Sequence, residues 1–370
     1  MSYFNKFKFR SKRGYILLVV LAFIVFIIYE VFSFYYKYLR KNQIVFVGST
    51  YEKNYEKEYS MNYFSKYRKT YFWNINDKKL EIIPKMSFEE YKEMKFKDKV
   101  PLVFYEGVEN RNFNNNNNNS NNNNVKDNIE NKVNENKNEK NLVIYFGGNG
   151  ETMYNNNFID YYYRWRMTGK KIDTFFVCYP GYGCSSDESN IENFFKYSSN
   201  IAEFINTITD EKYNKIYIVG FSIGGVIAID CASKINNNKV ESLTLINAFS
   251  NLKDCVKHFI GKNVSDKVDF LSNLVTFNFD KMDNVEKMKN LKMKINIFYS
   301  SFDKIVDNKN SKILFDNALN CKEKNLYEIC GDHCEFDRSD MFKIILGDEY
   351  SMNDNRYYNV FKVNEEMNKK

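Results

Sequence analysis

The sequence predicts an α/β fold: a mostly parallel central sheet with helices on both faces, preceded by an N-terminal transmembrane helix. Three observations carry this expectation. Short apolar runs recur at Leu142–Phe146, Phe175–Cys178, Ile216–Val219, Leu243–Ile246, Ile295–Tyr299 and Leu326–Ile329, each bounded by turn or polar residues. Most gaps between them hold a helical pattern, as in Ile191–Ile208, where Phe194, Phe195, Tyr197, Ile201, Phe204, Ile205 and Ile208 form the apolar set. Strands alternating with helices imply a parallel sheet covered on both sides. The third observation is Gly220-Phe221-Ser222-Ile223-Gly224, which follows the strand-like Lys215–Val219 and leads into the apolar Gly225–Ile229. In that setting Gly-x-Ser-x-Gly forms a sharp strand-to-helix turn, with the glycines avoiding clashes and the hydroxyl standing above the sheet edge.

The N-terminal element comes first in the chain. Lys6, Lys8, Arg10, Lys12 and Arg13 precede an apolar run from Tyr15 to Tyr36, broken only by Glu30 and Ser33 and closed by Lys37, Arg40 and Lys41. About 22 helical residues span roughly 33 Å, which matches the hydrocarbon core of a bilayer. Bulky residues (Phe32, Phe34, Tyr35, Tyr36) follow the apolar centre, where a cleaved signal peptide needs small ones. The expectation is an uncleaved signal anchor over 15–36. Five positive charges before the span against three after it place the basic tail, 1–14, in the cytosol. A single-pass protein of the endomembrane system or plasma membrane follows, with its folded domain lumenal or extracellular.

That domain is expected over residues 42–350. Its first part, 42–110, is polar and aromatic, and Ile44–Val47 and Leu102–Tyr105 read as antiparallel edge strands. From 112 to 140 the chain is almost all Asn, Lys, Glu and Asp. So little apolar surface does not offset the entropy of ordering, and the segment reads as a disordered insertion. Lying between two strand candidates, it is expected to replace a hairpin loop, and its length is tolerable because closure cost grows slowly. Residues 351–370 read as a polar C-terminal tail.

Composition narrows the partners. The formal charge of +7 comes from 54 basic against 47 acidic residues spread along the chain. No basic stripe interleaved with aromatics accompanies it, so no nucleic acid is expected. The seven cysteines are odd in number and lack the spacing of a disulfide-dense scaffold. Cys330 and Cys334 bracket His333, but no second Cys/His pair completes a tetrahedral shell, so neither a metal nor another cofactor is expected. Nothing in the sequence sets an oligomeric state.

A serine hydroxyl is a weak nucleophile near neutral pH and needs a base, usually a histidine held by a carboxylate. The chain has two histidines. His258 lies in a helical pattern. His333 follows the last apolar run of the series, on a loop at a strand's carboxyl end, the edge where open α/β sheets gather their functional groups. His333 is therefore the candidate base. Asp303, just beyond Ile295–Tyr299, is the candidate acid; Asp307 is the alternative, while Asp332 adjoins the histidine but would point elsewhere. Ser222, Asp303 and His333 thus follow the order serine, acid, histidine. A tetrahedral oxyanion also needs donors. The candidates are the N–H of Ile223, at the start of the following helix, and Gly148 and Asn149 in Phe146-Gly147-Gly148-Asn149-Gly150, a loop without the lysine of a phosphate cradle.

With these pieces in place the chain resembles the α/β-hydrolase superfamily, and more narrowly the single-pass or membrane-associated α/β-hydrolase-domain proteins that include protein depalmitoylases. The resemblance is carried by Tyr145–Gly150, Tyr179-Pro180-Gly181-Tyr182-Gly183, Gly220–Gly225, Asp303-Lys304-Ile305-Val306 and Gly331-Asp332-His333, and it covers residues 142–340 well. Two positions depart from it. Gly147 stands where the family usually has a histidine, and Cys334-Glu335 where it often has Asn-Asp. The resemblance implies an α/β-hydrolase fold with a small helical cap between Phe249 and Asn290. There Phe259, Phe270, Leu271, Leu274, Val275, Phe277 and Phe279 either line an acyl slot or pack on the main domain. It further implies a membrane-tethered serine hydrolase acting on an acyl ester or thioester, in a lipid or a palmitoylated protein. A lumenal domain would favour a lipid or lysophospholipid. A serine peptidase uses the same triad and a non-catalytic membrane scaffold could keep the fold, so both alternatives stay open.

Overall fold

The computed structural model describes residues 20, 23–30, 68–82, 98–105, 140–151, 172–182, 185, 187–208, 213–260, 282–336, 339–346 and 360–362. Its strands are β1 (Arg68–Asn74), β2 (Lys79–Ile82), β3 (Lys99–Tyr105), β4 (Asn141–Phe146), β5 (Ile172–Val177), β6 (Ile216–Phe221), β7 (Val240–Ile246), β8 (Lys294–Ser300), β9 (Lys324–Ile329) and β10 (Val360–Lys362). They form one ten-stranded sheet in the order β10-β9-β8-β7-β6-β4-β5-β3-β1-β2. Neighbours from β4 to β9 pair in parallel, and β1, β2, β3 and β10 flank them antiparallel. Each of the six apolar runs supplies half or more of one parallel strand.

Those runs are continuous because the strands are buried on both faces. In β4, Leu142, Ile144 and Phe146 join one core, while Val143 and Tyr145 join the other. The helices α1 (Ile191–Asn206) and α2 (Ile223–Ala232) cover the first face, and α6 (Ser339–Ile345) covers the second. Asn190 caps α1 by accepting the Asn193 N–H at 2.8 Å, which satisfies one orphan donor of the first turn. All ten residues of α2 are buried, so this helix shows no amphipathic stripe. The remaining helices among the described residues of the domain are α3 (Leu252–Ile260), α4 (Val285–Lys289) and α5 (Lys309–Asn317).

The one acid of α2, Asp230, is enclosed by Ser198 Oγ at 2.5 Å, Lys287 Nζ at 2.8 Å and Lys234. Burial pushes its pKa up, but hydrogen bonds from Lys234, Lys287 and Ser198 outweigh that and hold the carboxyl below its ordinary value. A depressed folded-state pKa stabilises above the unfolded value and loses that contribution as pH falls through the folded one. Asp230→Asn is therefore expected to lower Tm at neutral pH, with the gap to wild type closing below roughly pH 4. Thermal melts across that range measure it.

Three expectations about connections and edges are corrected. The 112–140 insertion does not replace a hairpin loop, because β5 lies between β3 and β4. Sequence neighbours usually pair, and composition reports order rather than pairing partner; here the long connection lets the chain cross. Leu102 pairs with Val177 and Tyr105 with Thr174, so β3 ends toward the amino edge of the parallel strands, where β4 also begins. The run Leu102–Tyr105 is therefore interior, and β2 forms that edge of the sheet. Third, the tail 351–370 is not wholly a tail: Val360–Lys362 pair with Ile329–Tyr327 as an edge strand. Three residues are too few to show a period-2 pattern.

Ile44–Val47 and residues 112–139 lie outside the described residues. Of the expected anchor over 15–36, residues 23–30 are helical and Phe23 to Tyr29 are all exposed, and most of the remainder is likewise outside. No helix among the described residues is long and apolar enough to cross a membrane.

The chain moves from β4 to β5 on one side and then to β6 on the other. Such a reversal opens a crevice at the carboxyl edge of the strands, where open α/β sheets bind ligands.

Candidate active site

Ser222 stands at that reversal, between β6 and α2. Its backbone has φ 54 and ψ −121, a conformation that an L-residue keeps only when its surroundings enforce it. Here the Ser222 N–H donates to the Ile246 carbonyl and the Gly225 N–H donates to the Ser222 carbonyl, both at 2.9 Å. Space enforces it as well: a Cβ on Gly224 would lie 2.1 Å from the Phe146 carbonyl oxygen and 2.4 Å from that of Gly147. The helix therefore starts in direct contact with the end of β4.

His333 and Asp303 complete a relay. His333 Nε2 lies 3.0 Å from Ser222 Oγ, and Nδ1 lies 2.7 Å from Asp303 Oδ2. A carboxylate accepts at Nδ1, so the imidazole proton sits there and Nε2 is left to accept from the serine hydroxyl. Asp303 is fixed by its other oxygen, which accepts the N–H groups of Ile305 and Val306 at 2.8 Å. The acid and base loops are also joined directly, since the Phe302 N–H donates to the Gly331 carbonyl at 3.0 Å. Asp332 turns away from the imidazole: its Oδ1 accepts the N–H groups of Glu335 and Cys334, which hold its carboxyl below the ordinary range. Asp307, the alternative acid, faces His258 at 3.7 Å instead. The Phe221 ring packs on His333 with centroids 5.3 Å apart, and the absent side chain of Gly148 makes room for that ring.

The expected oxyanion donors divide. Ile223 is the first residue of α2, so its N–H belongs to the helix's positive end. Asn149 is held through its side chain, whose Oδ1 accepts the Tyr182 hydroxyl at 2.8 Å. Gly148 is a correction: its N–H donates to Glu151 Oε2 at 2.8 Å and is engaged within the loop. The same carboxylate oxygen accepts the Tyr145 hydroxyl at 3.0 Å. Any Cβ at position 147 would fall 2.6 Å from it, so glycine there and Glu151 go together.

Sequence reasoning missed Glu151, and its signal was a lone acid directly after a glycine-rich strand end. It also left Tyr179 and Tyr182 without a role. The Tyr179 hydroxyl donates to the Gly147 carbonyl at 2.6 Å. Burial, reinforced by the charge of Glu151, keeps that hydroxyl protonated by pushing its pKa well up. The two tyrosines thus brace the loop from the Tyr179–Tyr182 turn.

Over the acid loop, Cys255 of α3 places Sγ 3.8 Å from the Ile305 carbonyl. Burial, with the Asp303 charge, pushes this thiol up to about 12, so it is not a competing nucleophile. Residues 261–281, including Phe270, Leu271, Leu274, Val275, Phe277 and Phe279 of the expected cap, lie outside the described residues, as does the Phe259 side chain.

An elbow serine after β6, an acid after β8 and a histidine after β9 now stand together at one edge of a mostly parallel sheet. The architecture is α/β-hydrolase-like. No family model matches the chain. Among solved structures it is similar to Est1E from Butyrivibrio proteoclasticus, at 13% identity over 66% of this chain and 92% of that one, with a TM-score of 0.42. The esterase Pf2001 of Pyrococcus furiosus is similar at 11% identity, over 68% and 87% of the two chains, with a TM-score of 0.43. The acylaminoacyl peptidase of Pyrococcus horikoshii is similar at 12% identity and a TM-score of 0.42, over 67% of this chain and 38% of that one.

Proposed function

We propose that the protein is a membrane-anchored serine hydrolase that cleaves an acyl ester or thioester through a covalent acyl-enzyme. The observation that carries this reading is the continuous relay Asp303–His333–Ser222, with links of 2.7 and 3.0 Å. In the first half-reaction His333 Nε2 takes the hydroxyl proton as Ser222 Oγ attacks the acyl carbonyl. The negative oxygen of the tetrahedral intermediate forms beside the Ile223 N–H, with the Asn149 region as the second side of the hole. His333 then returns the proton to the leaving alcohol or thiol. Water repeats the sequence and releases the acid. Asp303 holds the imidazole in the required tautomer and offsets its transient positive charge.

The anchor is supported by the apolar helical residues Phe23 to Tyr29, which are exposed and not part of the domain core, and by the basic residues before them. A long acyl chain is the substrate class that a membrane-held hydrolase meets. With a cytosolic N-terminus and a lumenal domain, the favoured substrate is a lipid or lysophospholipid; a cytosolic domain would favour palmitoylated protein.

The test is labelling of the folded, full-length protein with a fluorophosphonate, followed by turnover of p-nitrophenyl esters of increasing chain length and of a palmitoyl thioester. Covalent labelling and faster turnover of longer chains are expected. A folded protein that does not label overturns the hydrolase reading, and turnover confined to peptide bonds replaces it with a peptidase.

A further inference from the structure

Among the strands on which the site is built, β7 carries none of the proposed catalytic groups, yet it lies between the strand of the serine and the strand of the acid. Its sequel, Asn247, is 1% exposed and has φ 47, the left-handed region that Asn tolerates better than most residues. Its side-chain amide is bonded on both ends. Oδ1 accepts the Ser300 N–H at 2.8 Å, and Nδ2 donates to Ser300 Oγ and to the His333 carbonyl, each at 2.9 Å. Its own N–H donates to the Phe298 carbonyl at 2.9 Å. One residue earlier, the Ile246 carbonyl accepts the Ser222 N–H. On the acid side, Ser300 is the last residue of β8, and its carbonyl accepts the Asp303 N–H at 3.4 Å.

One short segment therefore touches all three triad loops: the serine through Ile246, the acid through Ser300, and the base through the main chain of His333 itself. We propose that Asn247 is a positioning residue of the triad, its amide fixing the backbone of His333 so that the imidazole spans Asp303 and Ser222. Bonds to Ser300 alone would tie the Asn247 side chain to β8 without involving the base. The bond to His333 reaches 86 residues along the chain and ends on the residue whose placement sets both links of the relay. Hydrogen-bond reach between nucleophile and base is lost over small displacements, and a misplacement of about 1 Å can cost on the order of 100-fold in rate. The inference rests on the hydrolase reading for its kinetic consequence, but not for its geometric one.

Two substitutions separate positioning from folding. Asn247→Asp keeps the shape and the acceptor for Ser300, but puts an oxygen against the His333 carbonyl where a donor stood. Asn247→Gly keeps the left-handed backbone and removes the whole link. Ser198→Ala, which deletes a buried hydrogen bond to Asp230 away from the triad, controls for lost stability. With a p-nitrophenyl ester, both Asn247 variants are expected to lose about 10- to 100-fold in kcat with KM nearly unchanged, and Ser198→Ala is expected to keep its kcat.

Because the chain has two histidines, imidazole nitrogen and Nδ1 proton spectra of 15N-histidine-labelled protein resolve His333, with His258→Ala for assignment. The Nδ1 proton signal should shift or broaden in both Asn247 variants and stay in place in Ser198→Ala. Wild-type kcat together with an unmoved His333 signal in Asn247→Asp overturns the proposal. If Asn247→Gly does not fold, Asn247→Asp and the spectrum decide. If the wild type hydrolyses nothing, the hydrolase reading fails while the spectrum still decides whether Asn247 positions the imidazole.

Discussion

Ser222→Ala is expected to abolish fluorophosphonate labelling and to lower kcat by roughly 10⁴- to 10⁶-fold, leaving whatever the oxyanion donors and binding supply on their own. The fold should survive. The serine's structural bonds are made by its backbone, from its N–H to the Ile246 carbonyl and from the Gly225 N–H to its carbonyl, and alanine keeps both. Ser222→Gly gives a companion result of opposite sign. At φ 54 and ψ −121 a β-carbon is held under strain of about 1–3 kcal/mol, and glycine relieves it. The glycine variant should be as inactive as the alanine variant but melt at a higher temperature than either. Labelling that survives in Ser222→Ala would transfer the nucleophile to another residue. Equal melting temperatures for all three would show that the elbow stores no strain.

Gly224→Ala should be the most damaging single-methyl change in the elbow. In the second position of a helix, alanine is ordinarily more stable than glycine by about 0.5–1 kcal/mol. Here the added carbon would meet the carbonyl oxygens of Phe146 at 2.1 Å and Gly147 at 2.4 Å. Both are main-chain atoms at the end of a central strand, so no side chain can swing aside. The expected loss is about 3 kcal/mol or more, in the range of severe overpacking. Relief comes only by parting α2 from the strand, which also moves the loop that carries Asn149. Labelling should therefore fall even under conditions where the variant is folded, and urea titration alongside labelling measures the two effects separately. An unchanged urea midpoint would mean that the helix start can yield at no cost.

Much of the site could be read from the chain because its parts are local. The elbow is a pentapeptide with a strand before it and a helix after it. Asp303 and His333 each follow an apolar run, and of the two histidines in the chain only His333 stands at a strand's end. Residues that hold these groups in place are a different matter. Asn247 reaches Ser300 and His333 across 53 and 86 positions, and nothing in Ile246-Asn247-Ala248 announces such partners. Gly148 looked like an oxyanion donor because glycine lets a backbone approach a ligand. Its N–H turns instead to Glu151, a choice made by the closure of the loop and not by the residue type. The same limit applies to β3. Its apolar content marks a strand, but only the finished sheet puts β5 between it and β4.

The crossing from β3 to β4 has a consequence for what this protein can tolerate. Tyr105 and Asn141 sit at the amino edge of the parallel strands, and Arg68, where the chain enters the sheet, pairs with Tyr105 at that same edge. Ser222, Asp303 and His333 occupy the opposite rim. Each doubling of a flexible connection costs only about 0.6 kcal/mol in closure. A change of length between Tyr105 and Asn141 is therefore expected to act on the rim opposite the triad and to cost little in stability. For the experimenter, a fluorescent reporter or an affinity handle inserted between Tyr105 and Asn141 would be tethered at the rim opposite the serine, since both flanking residues sit there.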